Sequence, residues 1–134
     1  MIILDTDVCI SVLRGDSRAA KHFAAGGPRV ATTAITAGEL RYGAEKSDDA
    51  VENHGLVSEF LKTLPVLDIS VVAAAHFGVL KATLEKEGQR LEDADLWIAA
   101  ITLQHGATLA TGNVRHYGRI NNLTIENWLR DSKA

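Results

Sequence analysis

The chain has 134 residues, of which 46% are hydrophobic and 23% are charged, a composition typical of a globular protein rather than of a disordered or fibrous one. Its length predicts one domain, residues 1–134. The net charge of −3 argues against a protein that coats nucleic acid through a dominant basic face, but it permits an enzyme with a local basic rim. A single cysteine excludes an internal disulfide framework. Because the sequence has neither a signal peptide nor an apolar run long enough for a bilayer, we expect a cytoplasmic protein without a membrane segment.

Short apolar segments alternate with helical patterns along the chain. Strands are predicted at residues 2–4, 30–33, 66–67, 108–111 and 123–125. Helices are predicted at residues 8–13, 17–25, 48–63, 70–87 and 94–105, around residues 35–44, and as a terminal turn at 126–131. Residues 112–121 are predicted to form a loop. This alternation predicts a parallel sheet that helices cover on both faces.

A carboxylate directly follows the first predicted strand. Ligands of open α/β sheets bind beyond the carboxyl ends of the strands, and Asp5 stands at that position. We therefore expect Asp5 to be one of several carboxylates that hold a divalent metal, the alternative being a simple Asx-turn. Asp7 is expected to be the N-cap of the first helix.

Glu39 has two interpretations that its spacing leaves open. Thr36 and Glu39 have the spacing of a capping box, in which the glutamate accepts a hydrogen bond from the first backbone N–H of the helix. If Thr33 caps the helix instead, Glu39 lies deeper in the helix, on the turn that faces the end of the sheet. The first interpretation makes Glu39 structural, and the second makes it a ligand.

Asp93 and Asp95 are two residues apart, so on one helix they point in different directions and at most one of them faces the site. Asp93 suits the N-cap position of the helix that begins there. Asp95 then lies in the first turn, where free backbone N–H groups favour negative charge, and it is the better candidate ligand.

Gathered carboxylates repel one another, and a bound cation relieves that repulsion. Oxygen ligands suit Mg²⁺ or Mn²⁺, ions that bind phosphates and can activate water, so phosphodiester hydrolysis is the natural reaction class. The five histidines have no pair at zinc-ligand spacing, and neither a G-x-S-x-G elbow nor a phosphate-binding P-loop motif is present.

Four segments, in this order, resemble the PIN-domain ribonucleases, most closely the VapC toxins of bacterial toxin–antitoxin pairs. The segments are Ile3-Leu4-Asp5-Thr6-Asp7, Glu39-Leu40-x-x-Gly43-Ala44-x-Lys46-Ser47, Asp95-Leu96-x-Ile98-Ala99-Ala100 and Gly106-Ala107-x-Leu109-x-Thr111-x-Asn113. The resemblance implies a three-layer α/β/α sandwich with a small, mainly parallel central sheet. It also implies an endoribonuclease that uses Mg²⁺ or Mn²⁺ to activate water, a cognate antitoxin that blocks the site, and a homodimer or a larger assembly with the antitoxin.

The same resemblance suggests roles for particular residues. Asp5, Glu39 and Asp95 are the expected metal ligands, which favours the ligand interpretation of Glu39. Asn113 is expected to assist catalysis where many relatives carry a fourth acid, and its neutral side chain argues against a second metal. The remaining candidates are Thr6 and Thr111, which would orient ligands or water, and Lys46, Arg115, Arg119 and Arg41, which would bind RNA phosphates.

Two other functions are considered. The segment Leu4-Asp5-Thr6-Asp7-Val8 also resembles the opening of haloacid-dehalogenase-type phosphatases, but the later lysine and acidic pair of those enzymes have no counterpart here. With Asn113 in place of an acid, the domain would alternatively be a weakly catalytic PIN module that binds RNA or the antitoxin.

Overall fold

The computed structural model describes residues 1–130 of the chain. Its five strands are β1 (Ile2–Leu4), β2 (Val30–Thr33), β3 (Val66–Leu67), β4 (Thr108–Thr111) and β5 (Thr124–Asn127). Its seven α-helices are α1 (Thr6–Leu13), α2 (Ser17–Gly26), α3 (Ala34–Glu45), α4 (Ala50–Leu61), α5 (Val71–Lys86), α6 (Asp93–Gln104) and α7 (Val114–Tyr117). A short 3₁₀ turn, Gly27–Arg29, precedes β2.

The strands form one sheet in the order β3-β2-β1-β4-β5, and every neighbouring pair is parallel. Ile3 of β1 lies beside Ala31 of β2 and Leu109 of β4. The chain forms β1, β2 and β3 in one half of the sheet and then crosses over to form β4 and β5 in the other half. The two halves meet between β1 and β4, and such a switch point opens a crevice at the carboxyl ends of the strands. The fold therefore places its natural ligand site just beyond Leu4 and Thr111.

Side chains of the central strands alternate between two apolar clusters, one on each face of the sheet. Ile2 and Leu4 join the cluster under α1 to α4, which also holds Trp128 from the segment after β5. Ile3 and Leu109 join the cluster under α5, α6 and α7. These two covered faces confirm the predicted three-layer α/β/α sandwich, with a sheet that is wholly parallel.

Local sequence signals explain most helix boundaries. The Asp16 side chain accepts a hydrogen bond from the Ala19 N–H at 2.9 Å, and the Ser70 hydroxyl accepts one from the Ala73 N–H at 3.0 Å, so both residues cap helices. After α1 and α6 the backbone enters the left-handed region at Gly15 (φ 78°) and Gly106 (φ 58°), which glycine adopts without strain.

Four local predictions were wrong. The N-cap of α1 is Asp5 rather than Asp7, and that of α6 is Glu92 rather than Asp93, because aspartate is favoured both at the cap and in the first turn. The predicted loop 112–121 contains the short helix α7. The predicted terminal turn at 126–131 begins instead as the last two residues of β5, whose pairing with β4 satisfies its backbone; Asp131 lies outside the described residues.

Within residues 1–130, no helix combines the length and apolar character needed to cross a lipid bilayer.

Candidate metal and catalytic site

Asp5 lies at the centre of the crevice, directly after β1. It is 5% exposed, and its backbone N–H donates to the Ala110 carbonyl of β4 at 2.9 Å. Its carboxylate accepts from the Thr6 N–H at 2.9 Å through Oδ1 and from the Thr111 hydroxyl at 2.7 Å through Oδ2. Thr111 in turn accepts from the Asn113 N–H at 2.9 Å. Asp5 therefore joins the start of α1 to the loop that follows β4.

Asp95 reaches the same place from the first turn of α6. The hydroxyl of Tyr117, a residue with no exposed surface, lies 3.3 Å from Asp5 Oδ1 and 3.2 Å from Asp95 Oδ1. A phenol has one proton to donate, so it can serve only one of two ionised carboxylates at a time. The two carboxylates are thus neighbours across a single shared hydroxyl.

Glu39 joins the cluster through Thr6. Thr33 caps α3, its hydroxyl accepting from the Thr36 N–H at 3.2 Å, so Glu39 is not part of a capping box. The Thr6 hydroxyl donates to Glu39 Oε1 at 2.6 Å and lies 3.0 Å from the Thr36 hydroxyl. Because the Thr6 proton is used on Glu39, Thr36 is the donor of that second bond. The two alternatives left open for Glu39 are thereby resolved in favour of the position facing the sheet end.

Asp7 faces the same loop, although it was expected only to cap α1. Its Oδ2 accepts from the Gly112 N–H at 2.9 Å, which ties α1 to the segment after β4. A Cβ atom at Gly112 would lie 3.1 Å from that oxygen and 2.5 Å from Leu129 Cδ1, so any larger residue would displace the Leu129 side chain. The other oxygen, Asp7 Oδ1, is buried and has no hydrogen-bond partner among the described residues.

The burial of these acids changes their protonation. The pKa of Asp5 rises from 3.8 to about 7, first because burial disfavours the charged form and then because Asp7 is close. Burial also raises the pKa values of Asp7 and Asp95, and the charge of Glu39 adds to the rise for Asp95. The site thus holds repelling acids that a bound cation would stabilise in their ionised forms.

The side chains fit a hard divalent ion in donor type. Among residues 1–130, no three His, Cys, Asp or Glu side chains stand in a coordinating arrangement, because hydroxyls separate the carboxylates. The atoms available as metal ligands are nonetheless all oxygens, which suits a hard divalent ion. The Asp7 Oδ1 atom is buried and has no hydrogen-bond partner among the described residues. Asp5, Glu39 and Asp95 are the carboxylates that could hold such an ion.

Asn113 is the N-cap residue of α7, but its side chain does not cap that helix. Its Oδ1 accepts a hydrogen bond from His116 Nδ1 instead. Asp95, Asn113 and His116 line one open cleft of about 700 Å³, together with Lys81 and Arg90. The cleft reaches the carboxylate cluster at Asp95.

The four cations predicted to bind phosphate stand in different environments. Arg115 is exposed on α7, Arg119 donates to the Arg90 carbonyl at 3.1 Å, and Lys46 lies over the Tyr42 ring at 4.8 Å. Arg41 donates to the His54 carbonyl and the Ser58 hydroxyl, both at 2.9 Å, and so fastens α3 to α4. A lone arginine in a sequence gives no sign of an intramolecular partner, so this structural role of Arg41 was not predicted.

Sequence reasoning missed two site residues, Tyr117 and Asp7. A tyrosine in a presumed surface loop carried no signal, although a buried tyrosine hydroxyl normally requires a polar partner. Asp7 is a favoured residue type at helix caps, and this local signal gave no indication of its hydrogen bond with the Gly112 N–H. Asp93, the other acid left undecided, pairs with Lys81 at 3.0 Å and lies outside the carboxylate cluster.

Comparison with known proteins matches residues 2–121 to the PIN domain. Ribonuclease VapC2 of Haemophilus influenzae is 36% identical over 128 residues, which are 95% of this chain and 97% of that relative. The tRNA(fMet)-specific endonuclease VapC of Salmonella typhimurium is 34% identical over 127 residues, 94% of this chain and 96% of that relative. The solved structure of DNA-bound VapBC from Salmonella typhimurium is similar with a TM-score of 0.91 and 34% identity, covering 95% of this chain and 97% of that one.

Proposed function

Because this chain belongs to the VapC ribonucleases of the PIN-domain family, we propose that it is the endoribonuclease toxin of a toxin–antitoxin pair and depends on Mg²⁺ or Mn²⁺. The observation that carries the proposal is the joining of three distant carboxylates at the carboxyl end of the sheet. The Tyr117 hydroxyl lies between Asp5 and Asp95, and Thr6 donates its backbone N–H to Asp5 and its hydroxyl to Glu39. A purely structural role would not explain the burial of Asp5, whose ionised form is disfavoured by the neighbouring Asp7 and Asp95.

In this proposal Asp5, Glu39 and Asp95 hold the divalent ion, which when bound supplies an activated water and neutralises charge on the phosphate. The Thr111 hydroxyl and the Thr6 N–H hold the Asp5 carboxylate in one orientation. The Thr6 hydroxyl does the same for Glu39. Preorganised donors of this kind keep the ligands aligned without a cost of reorganisation during the reaction.

The open cleft beside Asp95 is the proposed path for RNA, although four acids, Glu85, Glu92, Asp93 and Asp95, also line it. Asn113 and His116 form its wall on the α7 side, and Lys81 and Arg90 lie along its other wall. We propose that Asn113 assists by positioning the substrate or water, and that Arg115 and Arg119, with Lys46, bind flanking phosphates. The Salmonella typhimurium relative, named for its specificity for tRNA(fMet), suggests structured tRNA as the first substrate to test.

The partner proposed for this chain is a cognate antitoxin. The similar solved structure is a complex of the VapB and VapC proteins, and this chain covers 97% of the matched component. Coexpression with the neighbouring small open reading frame should give a stable complex that does not cleave RNA. Copurification without inhibition would contradict the toxin–antitoxin assignment.

The direct test compares wild-type protein with Asp5→Asn on a panel of RNAs that includes tRNA(fMet), with Mg²⁺, with Mn²⁺ and with chelator. We expect metal-dependent endonucleolytic cleavage by the wild type and a loss of about a hundredfold or more in Asp5→Asn, because the buried ligand at the centre of the cluster is removed. Circular dichroism should show that the variant remains folded. Equal inactivity of both proteins on every RNA and metal would favour a binding module without catalysis.

A second variant tests whether Glu39 is a ligand. Divalent metal should raise the thermal midpoint of the wild type more than that of Glu39→Gln, because an ion that binds only the folded protein stabilises it in proportion to its affinity. Glu45→Gln is the matched control, since Glu45 is on the same helix but pairs with His54 at 2.8 Å. Equal metal-induced shifts in all three proteins would exclude Glu39 from the ligand set.

A further inference from the structure

Positive charge is concentrated in one segment of this acidic chain. Residues 14–29 contain four of the 14 lysines and arginines but only one of the 17 acids, so the segment has a net charge of +3 and the rest of the chain one of −6. The one acid, Asp16, is the N-cap of α2 and accepts from the Ala19 N–H. The segment therefore carries a local positive field that the net charge of the whole chain conceals.

Helix α2 presents part of this charge on one face. Ala19 and Gly26 are buried, and the half-buried Phe23 packs against the apolar cluster under α1 to α4. The neighbouring face of the helix lines an open concavity of about 510 Å³ with the side chains of Ser17, Arg18, Lys21, His22 and Ala25. These five residues define the α2 basic face.

The α2 basic face differs in charge from the cleft beside Asp95. Four acids line that cleft as well as Lys81 and Arg90, whereas no acid within residues 1–130 lines the α2 basic face. RNA phosphates bind most favourably where basic side chains are not offset by acids. The α2 basic face is therefore the more favourable of the two surfaces for the RNA backbone.

A short series of contacts connects the α2 basic face to the carboxylate cluster. The His22 ring is stacked on the Trp128 ring, with 5.0 Å between the ring centroids and 16° between the planes. The Trp128 N–H donates to the Thr111 carbonyl at 3.3 Å, and the Thr111 hydroxyl donates to Asp5 at 2.7 Å. Glu126, an acid beside this route, accepts from the Trp128 indole N–H at 3.0 Å. Three contacts thus separate the basic face from Asp5, so one RNA strand can reach both.

The chemistry of this surface suits phosphates better than an apolar partner. Of the large apolar side chains that are exposed within residues 1–130, none belongs to residues 14–29. Protein–protein interfaces are enriched in aromatic residues and depleted of lysine, whereas phosphate contacts are made mainly by arginine and lysine. RNA is therefore the favoured partner, and a surface for the antitoxin is the alternative that the test distinguishes.

We propose that the α2 basic face binds phosphates of the RNA substrate that flank the cleavage site, through Arg18 and Lys21. The inference rests on the proposed ribonuclease function and adds a surface to the cations already proposed to bind phosphate. His22 covers Trp128 and forms the part of this surface that leads toward the carboxylates. Because the contacts are made to the RNA backbone, they supply affinity rather than sequence specificity.

The test measures RNA binding by the full chain in an Asp5→Asn background, with bulk tRNA and single-stranded poly(U) as probes, over a range of salt concentrations. Arg18→Gln with Lys21→Gln removes two charges. We expect the Kd at about 150 mM salt to rise about fivefold or more, and the slope of log affinity against log salt on poly(U) to decrease by about 1.4, or about 0.7 for each phosphate contact. Lys62→Gln with Lys86→Gln is the matched control, because it removes the same charge from the exposed ends of α4 and α5, and its Kd should stay within about twofold of the starting protein.

Cleavage kinetics with Asp5 intact add a readout that a structural role would not move. Loss of the flanking contacts should raise KM and leave kcat unchanged, because these contacts bind the substrate and the transition state alike. Equal RNA affinities in the double variant and its control would overturn the inference. Unchanged RNA binding with loss of the antitoxin complex would also overturn it and would assign the surface to the partner protein. If the double variant does not fold, Lys21→Gln is compared with Lys62→Gln by the same criteria.

Cleavage by the wild type separates this inference from the proposed function. Wild-type protein that cleaves RNA, beside a double variant of unchanged RNA affinity and KM, would refute the role of α2 and leave the proposed function standing. Wild-type protein that neither binds nor cleaves any RNA tested would refute the proposed function, and the role of the α2 basic face would fall with it.

Discussion

The middle and the carboxyl end of the two central strands differ sharply, although both are buried. Ile3 of β1 and Leu109 of β4 lie side by side and are fully buried in the apolar cluster beneath α5 and α6. Two residues further along each strand, Asp5 and Thr111 are also buried, but they are polar and bonded to each other. Burial at the middle stabilises the fold, whereas burial at the end raises the pKa of Asp5 from 3.8 to about 7.

Along β1 and β4, exclusion of solvent therefore has two different effects: it stabilises the fold at the middle of the strands and perturbs an acid at their carboxyl end. Apolar burial contributes about 25 cal/mol per Å² of surface removed from water, so the middle of the sheet needs no other explanation. At the carboxyl end of the strands, burying Asp5 beside Asp7 and Asp95 contributes no comparable stabilisation of the fold. Local features that oppose stability in an otherwise consistent fold are concentrated at functional sites.

The largest stability effect is expected from the middle of the sheet. Leu109→Ala should lower the free energy of unfolding by about 2–5 kcal/mol, because it removes buried methyl groups and leaves a cavity between β4 and the helices above it. Urea denaturation of metal-free protein measures the loss. The Mn²⁺ affinity of the folded fraction should not change, and a loss below about 1 kcal/mol would mean that this region is less tightly packed than its full burial indicates.

The next largest effect is the pH dependence of stability that Asp5 causes at the carboxyl end of β1. Since the pKa of Asp5 is about 7 in the folded protein and 3.8 in the unfolded chain, the folded state holds more protons between these values. Stability of the metal-free protein should therefore fall as pH rises through about 4 to 7, by up to about 1.4 kcal/mol per pH unit. The measure is the difference between wild type and Asp5→Asn in urea unfolding at several pH values. A difference that stays constant or moves the opposite way would contradict the buried, proton-binding state of Asp5.

Tyr117→Phe should have a smaller effect at the junction of the two regions. The ring stays in the apolar cluster, but the hydroxyl shared by Asp5 and Asp95 is lost, at about 0.5–1.5 kcal/mol. The pKa of Asp95 should rise further, since that hydroxyl lowers it, and carboxyl ¹³C titration would detect the change. Tyr42→Phe is the control, because Tyr42 is 67% exposed. An unchanged Asp95 titration would show that the hydroxyl does not stabilise its charge.

The smallest stability effect is expected from Arg115, on the exposed surface of α7. Arg115→Ala should change the free energy of unfolding by less than about 0.5 kcal/mol, because the side chain is exposed on α7. If Arg115 binds an RNA phosphate, the slope of log affinity against log salt should decrease by about 0.7 for a single strand. The measurement uses an Asp5→Asn background to prevent cleavage, with Lys62→Ala as control, since Lys62 pairs with Glu59 at 3.1 Å. Equal slopes for both variants would remove Arg115 from the RNA-binding set.

Residues with a strong local signal were predicted well. The four-residue strands β2 and β4 were placed at their true bounds, and the positions of Asp5 and Asp95 relative to their strand and helix followed from pattern and charge alone. Aspartates near helix starts were less certain, because the same residue type is favoured at the cap and within the first turn. Asp7 and Asp93 were therefore misplaced by one or two positions.

Chain order and local chemistry determined that this protein is an α/β fold with an acid at the end of its first strand. Only the tertiary structure decided that Tyr117 stands between Asp5 and Asp95, that Arg41 is bound to α4, and that Asp7 reaches Gly112. The physical reason is that periodicity and capping are properties of neighbours in the chain. A hydrogen bond between residues 5 and 117 depends on sheet order and helix packing, which no local pattern encodes.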